Sequence, residues 1–564
     1  MASRSASGNS CRGVVDSSAG RITGTALLGT ALLALASFLP APAAWAAVGL
    51  AAPHAQLFYE TGDNVLHPPT SSQELGQALA VGDFDGDGVD DLVLGIHWDD
   101  HGILPLFEIG QAQVRWGAAG GGLEGGVSVK YLWQGGSSGV DEAETDDRFG
   151  EAFAVGDFDH DGFDDLAVGI PGEDIGAATN AGAVEIRYGA ANRFDALESR
   201  RLLLHEDVAG VPDQAGVDDR FGEVLAAGDL DGDTFADLLV GVPSESVAGN
   251  GNAGRLFVFY GSVSGVVVAG AQTLDENTTG IASDPFGNDR FSRALVVGDW
   301  NADGFADLAV GVDHWGDVAR SGAVHVLYSN ASGPNPASDL FVNQDSPGIA
   351  DVQEEFDYFG AGLAAGDWNG DGFDDLAIAA PYEDVGPEGG TTADAGVVHV
   401  LFGSPTTVLA NAPQYWSQAT AGVPGELASS ARFGGALAGA DFDGDGFDDL
   451  AIGAVGDPVL PGSFVGAVIV LRGSATGPAA TDAASWDLDQ PGIPGTATDS
   501  DFFGYALAAG DFNHDGHADL AIGAPKDEVP PFASDSGTVL VLYGTLFADS
   551  FESAGLTQWS AAHP

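Results

Sequence analysis

Apolar and polar segments follow one another in a fixed order that recurs seven times along the chain. In each copy a short apolar segment leads into an acidic loop, an almost wholly apolar run follows, and two further extended runs complete the unit. These segments lack the 3.6-residue period of an amphipathic helix, and turn residues separate them. The pattern predicts four short β-strands per copy, which we name A, B, C and D. In the second copy they are residues 151–157, 165–170, 183–189 and 200–207.

The acidic loop between segments A and B sets the period of the repeat. Successive loops begin 74, 72, 70, 68, 74 and 70 residues apart. Spacing this regular indicates one structural unit repeated in series. The seven loops begin at Asp83, Asp157, Asp229, Asp299, Asp367, Asp441 and Asp511.

The composition of segments A and B predicts how the units pack. Segment B is almost continuously apolar in every copy, as in DLAVGI at 165–170, so both of its faces must be covered. Segment A is rich in Ala and Gly, as expected where strands crowd around a shared axis. Seven four-stranded antiparallel blades packed around that axis meet both demands. We therefore predict an all-β fold, a seven-bladed β-propeller over residues 51–545.

The two ends of the repeat region predict how the ring closes. No clear D segment follows the seventh C segment at 537–544, whereas an unpartnered D-like run, AQLFYETG at 55–62, precedes the first A segment. The simplest arrangement has this N-terminal run completing the last blade. The acidic and aromatic tail at 546–564 has no assigned role.

The N-terminal segment predicts export from the cell. Basic residues precede an apolar run at 26–39, and Ala-Trp-Ala at 44–46 provides a cleavage site, so we expect residues 1–46 to be a signal peptide. The mature protein would then be secreted or lie at the cell surface. The chain's one cysteine, Cys11, lies in this segment, so disulfides cannot stabilise the mature protein.

Charge excludes two classes of partner and favours a third. The chain carries 83 acidic side chains against 18 Lys and Arg, a formal net charge of −65. Such a surface repels nucleic acid and anionic membranes and attracts cations. No later stretch of the sequence is long and apolar enough for a membrane span. Because 45% of the residues are hydrophobic, a folded core is expected despite the charge.

The first acidic loop has the spacing of a metal-binding loop. Its predicted side-chain ligands occupy positions 1, 3, 5 and 9, and the turn at Gly88 would aim the main-chain carbonyl of Val89 at position 7 inward. Alternating oxygen ligands suit Ca²⁺ better than Mg²⁺, which needs stricter geometry. The loop is no EF-hand, because Leu94 replaces the bidentate Glu and strands flank it. Asp90 at position 8 is expected to face solvent. The side-chain ligands are Asp83, Asp85, Asp87 and Asp91.

The other six loops keep these positions, so up to seven Ca²⁺ ions are predicted, one per blade. Asn replaces Asp at position 3 in three loops, and Thr234 replaces the turn glycine in the third loop, whose occupancy is the least certain. Solvated acidic turns that bind no metal are the alternative. In the order of positions 1, 3, 5, 7 and 9, the ligands are Asp157, Asp159, Asp161, Phe163 and Asp165; Asp229, Asp231, Asp233, Phe235 and Asp237; Asp299, Asn301, Asp303, Phe305 and Asp307; Asp367, Asn369, Asp371, Phe373 and Asp375; Asp441, Asp443, Asp445, Phe447 and Asp449; and Asp511, Asn513, Asp515, His517 and Asp519.

These features resemble a known repeat family. The pair Phe149-Gly150, the loop GDFDHDGFDDL at 156–166 and the tripeptide GIP at 169–171 are similar to the FG-GAP repeat, the calcium-binding blade of the integrin α-chain propeller and of many secreted bacterial proteins. Seven metal loops resemble the bacterial members more closely. The resemblance covers residues 51–545 and implies a ligand-binding role. The first copy departs from it, opening with Leu75-Gly76.

The face opposite the metal loops is where the resemblance places a ligand. Its B–C loops offer aromatic side chains for stacking and acids as hydrogen-bond acceptors. The alternative is that these aromatics only pin their own loops, which we favour. The arginines that precede the blade-opening residue, such as Arg148 and Arg290, are expected to pair with nearby acids. The candidate ligand-face residues are Trp98, Trp315, Tyr382, Asp99, Asp317 and Asp384.

Three functions remain open from the sequence. The favoured one is a non-catalytic binding or adhesion module for an extracellular protein or glycan, with no nucleic-acid partner. The second is an extracellular enzyme acting on polysaccharides or phosphoesters; a local acid and histidine grouping is weak support, and no catalytic residue is assigned. The third is a structural module of a surface assembly, attached through residues 546–564. The local grouping comprises His97, Asp99, Asp100 and His101.

Overall fold

The architecture is taken from a computed structural model of the chain. Several expectations fall outside the residues that it describes: the signal peptide at 1–46, the tail at 546–564, the grouping at 97–101 apart from Trp98, and Asp317. The described residues are 55–59, 73–96, 98, 108–124, 129–134, 143–194, 200–315, 320–386, 392–459, 463–490, 493–528 and 535–544.

The described residues contain seven four-stranded antiparallel sheets, and these confirm the predicted seven-bladed β-propeller. Within each blade the chain runs through strands A, B and C in order. The A strands are β2 (Leu79–Gly82), β6 (Phe153–Gly156), β10 (Val224–Gly228), β14 (Ala294–Gly298), β20 (Gly362–Gly366), β24 (Phe433–Ala440) and β28 (Leu507–Gly510). The B strands are β3 (Asp91–Ile96), β7 (Asp165–Ile170), β11 (Asp237–Val242), β15 (Asp307–Val312), β21 (Asp375–Ala380), β25 (Asp449–Ala454) and β29 (Asp519–Ala524).

The C and D strands form the outer half of each blade. The C strands are β4 (Gln111–Arg115), β8 (Ala183–Arg187), β12 (Arg255–Tyr260), β16 (Ala323–Leu327), β22 (Val397–Leu401), β26 (Ala467–Arg472) and β30 (Thr538–Leu542). The D strands are β5 (Lys130–Leu132), β9 (Arg201–Leu204), β13 (Val267–Leu274), β19 (Leu340–Val342), β23 (Gln414–Trp416), β27 (Ala479–Trp486) and β1 (Ala55–Phe58). Blade 4 adds the small hairpin β17 (Ser329–Asn330) and β18 (Gly333–Pro334) and a 3-10 turn at Pro336–Ser338.

Burial follows the apolar pattern of the sequence. Every residue of the seven B strands is buried, since each B strand lies between strands A and C and is covered by the neighbouring blades. The core consists of clusters that span adjacent blades: Phe221, for instance, packs with Val184 of blade 2 and Val240 of blade 3. Hydrophobic burial therefore joins blades to one another as well as strands within a blade.

Two rims of main-chain hydrogen bonds close the ring. In the loop rim, the N–H at position 8 of each metal loop donates to the position 1 carbonyl of the preceding blade, at 3.0 to 3.3 Å. In the entry rim, the residue that opens each blade donates its N–H to the residues leading into the preceding C strand, at 2.8 to 3.2 Å. Both rims run through all seven blades: Asp90 donates to Asp511, and Leu75 donates to Ser536, which joins blade 1 to blade 7.

The last blade takes its outer strand from the start of the described chain. β1 lies antiparallel to β30, with Ala55 opposite Leu542 and Phe58 opposite Val539. Ala55 and Phe58 are buried there. That this strand holds the ring shut stays a prediction.

Two glycines pack closely where blades 2 and 3 meet: Gly222 of the pair Phe221-Gly222, and Gly169 of strand β7. Gly222 has a φ of +91°, and a Cβ added to Gly169 of the preceding blade would lie 2.1 Å from the Gly222 carbonyl oxygen. We expect Gly169→Ala to lower the free energy of unfolding by about 1–3 kcal/mol through overpacking. Urea unfolding at fixed calcium concentration measures this loss.

Blade 5 provides the control for that substitution. Ala379 stands at the position of Gly169, and there the next blade differs, because β24 starts at Phe433 and contains a register shift before Ala436. Ala379→Gly removes no clash and should cost less than about 1 kcal/mol. Equal stability of the Gly169→Ala variant and the parent would contradict the close-packing argument.

Among the described residues, no helix is long and apolar enough to cross a membrane.

Candidate metal centres

Each acidic loop connects strand A to strand B, so strand pairing fixes both of its ends. Position 9 is the first residue of strand B and pairs with the last residue of strand A, as Asp91 does with Gly82. Position 1 is the residue after strand A. The carboxylates at positions 1 and 9 are therefore brought together by the ladder itself.

The carboxylate at position 1 is held by the turn of its own loop. In the first loop the Asp83 carboxylate accepts the N–H groups of Asp87 at 3.0 Å and Gly88 at 2.8 Å. The same pair of bonds occurs in all seven loops. Thr234 in the third loop keeps this geometry, donating its N–H at 2.9 Å with a φ of +78° that glycine adopts more easily.

The carboxylate at position 9 is buried at the base of the loop. Asp91 is 1% exposed and accepts the N–H groups of Phe84 and Gly117. Burial is the largest cause of its raised pKa, which lies at about 8, and the neighbouring Asp85 and Asp83 carboxylates raise it further. The pKa is likewise raised to about 8 for Asp165, Asp375 and Asp519 and to about 7 for Asp237, Asp307 and Asp449. A bound cation would favour the charged form of these groups.

Carboxylate oxygens from positions 1, 3 and 9 converge in four of the loops, lying within 4.8 Å of one another. Position 5 contributes to none of these groups; its Oδ1 accepts the N–H of position 7, as Asp87 does from Val89 at 3.1 Å. All donors are carboxylate oxygens, which fit a hard cation of calcium size. The converging groups are Asp83, Asp85 and Asp91; Asp157, Asp159 and Asp165; Asp229, Asp231 and Asp237; and Asp441, Asp443 and Asp449.

The remaining three loops have Asn at position 3. There the Asn side chain donates its amide N–H to the position 9 carboxylate, as Asn369 does to Asp375 at 3.2 Å. The Asn amide thus stabilises the position 9 carboxylate by a hydrogen bond, at a position where Asp would add a second negative charge. Asn301 and Asn513 make the same contact.

Arginines that the sequence reasoning missed contact position 3 in three Asp loops. Arg193, in the C–D connection of blade 2, lies 2.6 Å from Asp85 of blade 1. Arg200 lies 2.8 Å from Asp159, and Arg472 pairs with Asp443. In the described part of the chain, Asp231 of the third loop has no such ion pair. Among the Asp loops, the third therefore keeps the most uncompensated negative charge.

The expectation that Asp90 faces solvent is wrong. Its Oδ2 accepts the main-chain N–H of Asp511 at 2.8 Å, so the side chain points to the loop of the preceding blade. Three other position 8 aspartates make the same contact. The Asp90 carboxylate is hydrogen-bonded to the loop of the neighbouring blade, and the local sequence does not reveal that the two loops are adjacent.

The aromatic residues of the opposite face contact their own protein. The Arg148 guanidinium lies 4.8 Å from the centroid of the Trp98 ring. Trp315 packs edge-on against Phe341. The ring centroids of Tyr382 and Tyr358 are 5.0 Å apart. Asp384 accepts the N–H of Asp394 within its loop. These contacts favour the interpretation that the side chains pin their loops. Arg148 and Arg290 lie within ion-pair distance of Glu108 and Glu223 respectively, as expected.

Two cavities on this face are lined by basic side chains. The larger, of about 530 Å³, lies between blades 3 and 4 and is lined by Arg290, His314 and Arg320 together with Asp289, Asn288 and Asn252. The smaller, of about 170 Å³, lies between blades 2 and 3 and is lined by Arg148 and Arg220 together with Asp146 and Asn180. Each of these recesses thus combines two arginine side chains with one aspartate.

A serine, a histidine and an aspartate form a hydrogen-bonded series where blades 3 and 4 meet. His325 is 3.2 Å from the Ser283 hydroxyl and 2.9 Å from Asp339. The Ser283 hydroxyl donates to Glu276, however, and His325 has no exposed surface beneath Phe341. The arrangement presents no nucleophile to a substrate and is a structural pairing.

A ring of seven blades with an acidic loop at every A–B turn defines a repeat β-propeller that carries clusters of carboxylates on one face. The family model for the FG-GAP repeat matches six segments, which correspond to blades 2 to 7. The chain is an FG-GAP repeat β-propeller. The matched segments are 149–184, 221–259, 291–327, 359–401, 433–471 and 503–542.

Curated relatives match parts of the chain. Phosphatidylinositol-glycan-specific phospholipase D of Rattus norvegicus is 33% identical over 189 residues, 33% of this chain and 21% of that protein. Integrin alpha pat-2 of Caenorhabditis briggsae is 32% identical over 256 residues, 43% of this chain and 18% of that protein. The matches therefore span less than a quarter of these relatives.

Among solved structures, a rhamnogalacturonan lyase of Bacillus licheniformis aligns with 84% of this chain and 91% of its own at 12% identity. Its TM-score of 0.31 is too low to support an argument about activity.

Proposed function

We propose that the chain is a secreted, calcium-binding propeller that acts as a non-catalytic binding module for an extracellular protein or glycan. Three observations support the calcium role: the convergence of carboxylates, the burial of position 9 and the all-oxygen donor set. Secretion rests on the signal-peptide pattern of residues 1–46. Calcium would stabilise the ring, and the opposite face would be free for a ligand.

The observation that carries the binding role is the pair of arginine-lined cavities on the face of the B–C and D–A loops. Guanidinium groups bind carboxylates and hydroxyls in fixed geometry. A ligand with such acceptors, an acidic glycan or an acidic protein segment, fits both cavities. The similarity to integrin α chains supports a protein ligand, and the glycan remains the other occupant to be tested.

A glycan and protein binding array, run with calcium and again with chelator, tests the proposal. Arg320 is exposed at the larger cavity, so Arg320→Gln should weaken binding of an acidic hit by about tenfold, as expected for one lost charged hydrogen bond. Lys130→Gln, on the outer strand β5, is the matched control and should bind as the parent does. No hit on the array, or equal loss in both variants, would contradict a ligand at this face. Turnover of an arrayed glycan or phosphoester would instead support the enzymatic alternative.

Metal counting tests the ligand assignment of a single loop. Asp441→Ala with Asp445→Ala removes positions 1 and 5 of the sixth loop, and we expect the calcium bound per chain to fall by one ion. The exposed Asp482 of β27 supplies the control: Asp482→Asn changes the same kind of charge outside any loop and should leave the count unchanged. Native mass spectrometry measures the count. An unaltered count in the double variant would refute the assignment.

A further inference from the structure

Three acidic side chains meet on the face opposite the metal loops, at the junction of blades 2 and 3. Glu206 follows strand β9, Asp219 lies in the connection that enters blade 3, and Glu245 lies in the B–C loop after β11. One carboxylate oxygen from each lies within 4.8 Å of the other two. All three are buried, with exposures of 1%, 7% and 7% in that order. We name these residues the junction trio.

The junction trio differs from the equivalent positions of its sister blades. At three other junctions a glutamine stands at the position of Glu206 and donates its amide N–H to the acid equivalent to Glu245. The pairs are Gln134 with Glu173, Gln344 with Glu383, and Gln418 with Asp457. At the junction of blades 2 and 3, Glu206 takes the place of this glutamine. Glu245 therefore lacks the amide N–H donor that its counterparts at the other three junctions have.

Glu206 points into the junction trio without a hydrogen-bond donor. Neither of its carboxylate oxygens has a hydrogen-bond partner in the described part of the chain, although both are buried, and the Oε2 of Glu245 is in the same condition. Burying a carboxylate without a donor or cation is costly. At the junction of blades 3 and 4, by contrast, Glu276 accepts the Ser283 hydroxyl at 2.6 Å.

The nearby cation does not neutralise the junction trio. The Arg255 guanidinium lies 4.0 Å from Glu245, but it lies closer to Asp275, at 3.1 Å, and pairs with Asp213 as well. One guanidinium therefore pairs with three acids, of which only Glu245 belongs to the junction trio.

We propose that the junction trio binds a divalent metal ion of calcium type, separate from the seven loops and on the opposite face. Three buried carboxylates provide hard oxygen ligands with no sulfur or imidazole among them, which selects Ca²⁺ chemistry over zinc. The ion occupies the position where the sister blades place a glutamine N–H.

This ion also supports the walls of both cavities on that face. Arg220, next to Asp219, lines the smaller cavity, and Ser244, next to Glu245, lines the larger one. An ion bound to Asp219 and Glu245 thus fixes two segments that a ligand would contact.

The sister junctions provide the test. Glu206→Gln installs the residue found at three equivalent positions, so it should fold. Calcium per chain, counted by native mass spectrometry after equilibration with calcium alone, should fall by one ion relative to the parent. The reciprocal variant Gln344→Glu places a third acid beside Asp357 and Glu383 and should raise the count by one. Both readouts are differences from the parent, so they hold whether or not the seven loops bind calcium.

A parent count that Glu206→Gln leaves unchanged overturns the proposal, because the carboxyls then share a proton in place of a metal. Glu245→Gln, which removes a different ligand, provides a second variant should Glu206→Gln not fold. Loss of one ion in either folded variant supports the site. If the lost ion were an adventitious surface ion, the control variant Asp482→Asn would lose one ion as well. Equal loss in the control therefore also overturns the proposal.

Discussion

Chelation with EDTA is expected to lower the melting temperature by about 15–20 °C. At a calcium concentration 100 times the dissociation constant, one site adds about 2.7 kcal/mol, so seven independent sites add about 19 kcal/mol. The unfolding entropy of a ring of about 490 residues is roughly 1 kcal/mol per kelvin, which converts this energy to the expected shift. Differential scanning calorimetry measures it, and added calcium should restore the parent curve.

The control for chelation separates bound ions from screening. A chain with a net charge of −65 is stabilised by any salt that screens its self-repulsion. Magnesium at the same ionic strength should therefore recover only part of the loss, because Mg²⁺ requires stricter octahedral geometry. Melting curves that coincide with and without calcium would refute the loops as metal sites. Full recovery by magnesium would refute their calcium selectivity.

Removal of the first strand should cause the second largest loss of stability. A chain that starts at residue 60 lacks β1, whereas one that starts at residue 47 keeps it. The strand buries Ala55 and Phe58 and pairs along β30, so its loss costs about 6–10 kcal/mol from apolar burial and hydrogen bonds together, or roughly 6–10 °C in melting temperature. The exposed edge of β30 should also promote oligomers, which size-exclusion chromatography detects.

A peptide tests whether the strand itself is responsible. An added peptide of residues 47–59 should restore both the melting temperature and the monomer peak of the shorter chain. Equal melting temperatures for the chains that start at 47 and 60 would show that the ring does not depend on β1.

Periodicity made the fold predictable, because each blade repeats the same burial pattern. The apolar run at Asp165–Ile170 identified a strand covered on both faces, and the recurring Asp spacing identified the turn before it. Strand order follows from antiparallel pairing of neighbours in sequence.

Contacts between blades were not predictable from the repeat. Arg193 and Asp85 lie 108 residues apart, and nothing in either local sequence announces the 2.6 Å pair. The sequence predicts that Asp90 faces solvent, yet its carboxylate accepts a hydrogen bond from the adjacent loop. The junction trio could have been found by aligning Glu206 with Gln134 and Gln344, since the departure from glutamine is visible once the copies are superposed.

The two rims have a consequence for how the blades can diverge. Each of their links joins a main-chain N–H to a main-chain carbonyl, so no ordinary side-chain replacement can delete one; proline, which lacks the N–H, is the exception. Individual loops can therefore exchange Asp for Asn or accept an arginine while the circle stays intact. Side chains of one blade can therefore change without breaking the ring, because main-chain hydrogen bonds hold adjacent blades together.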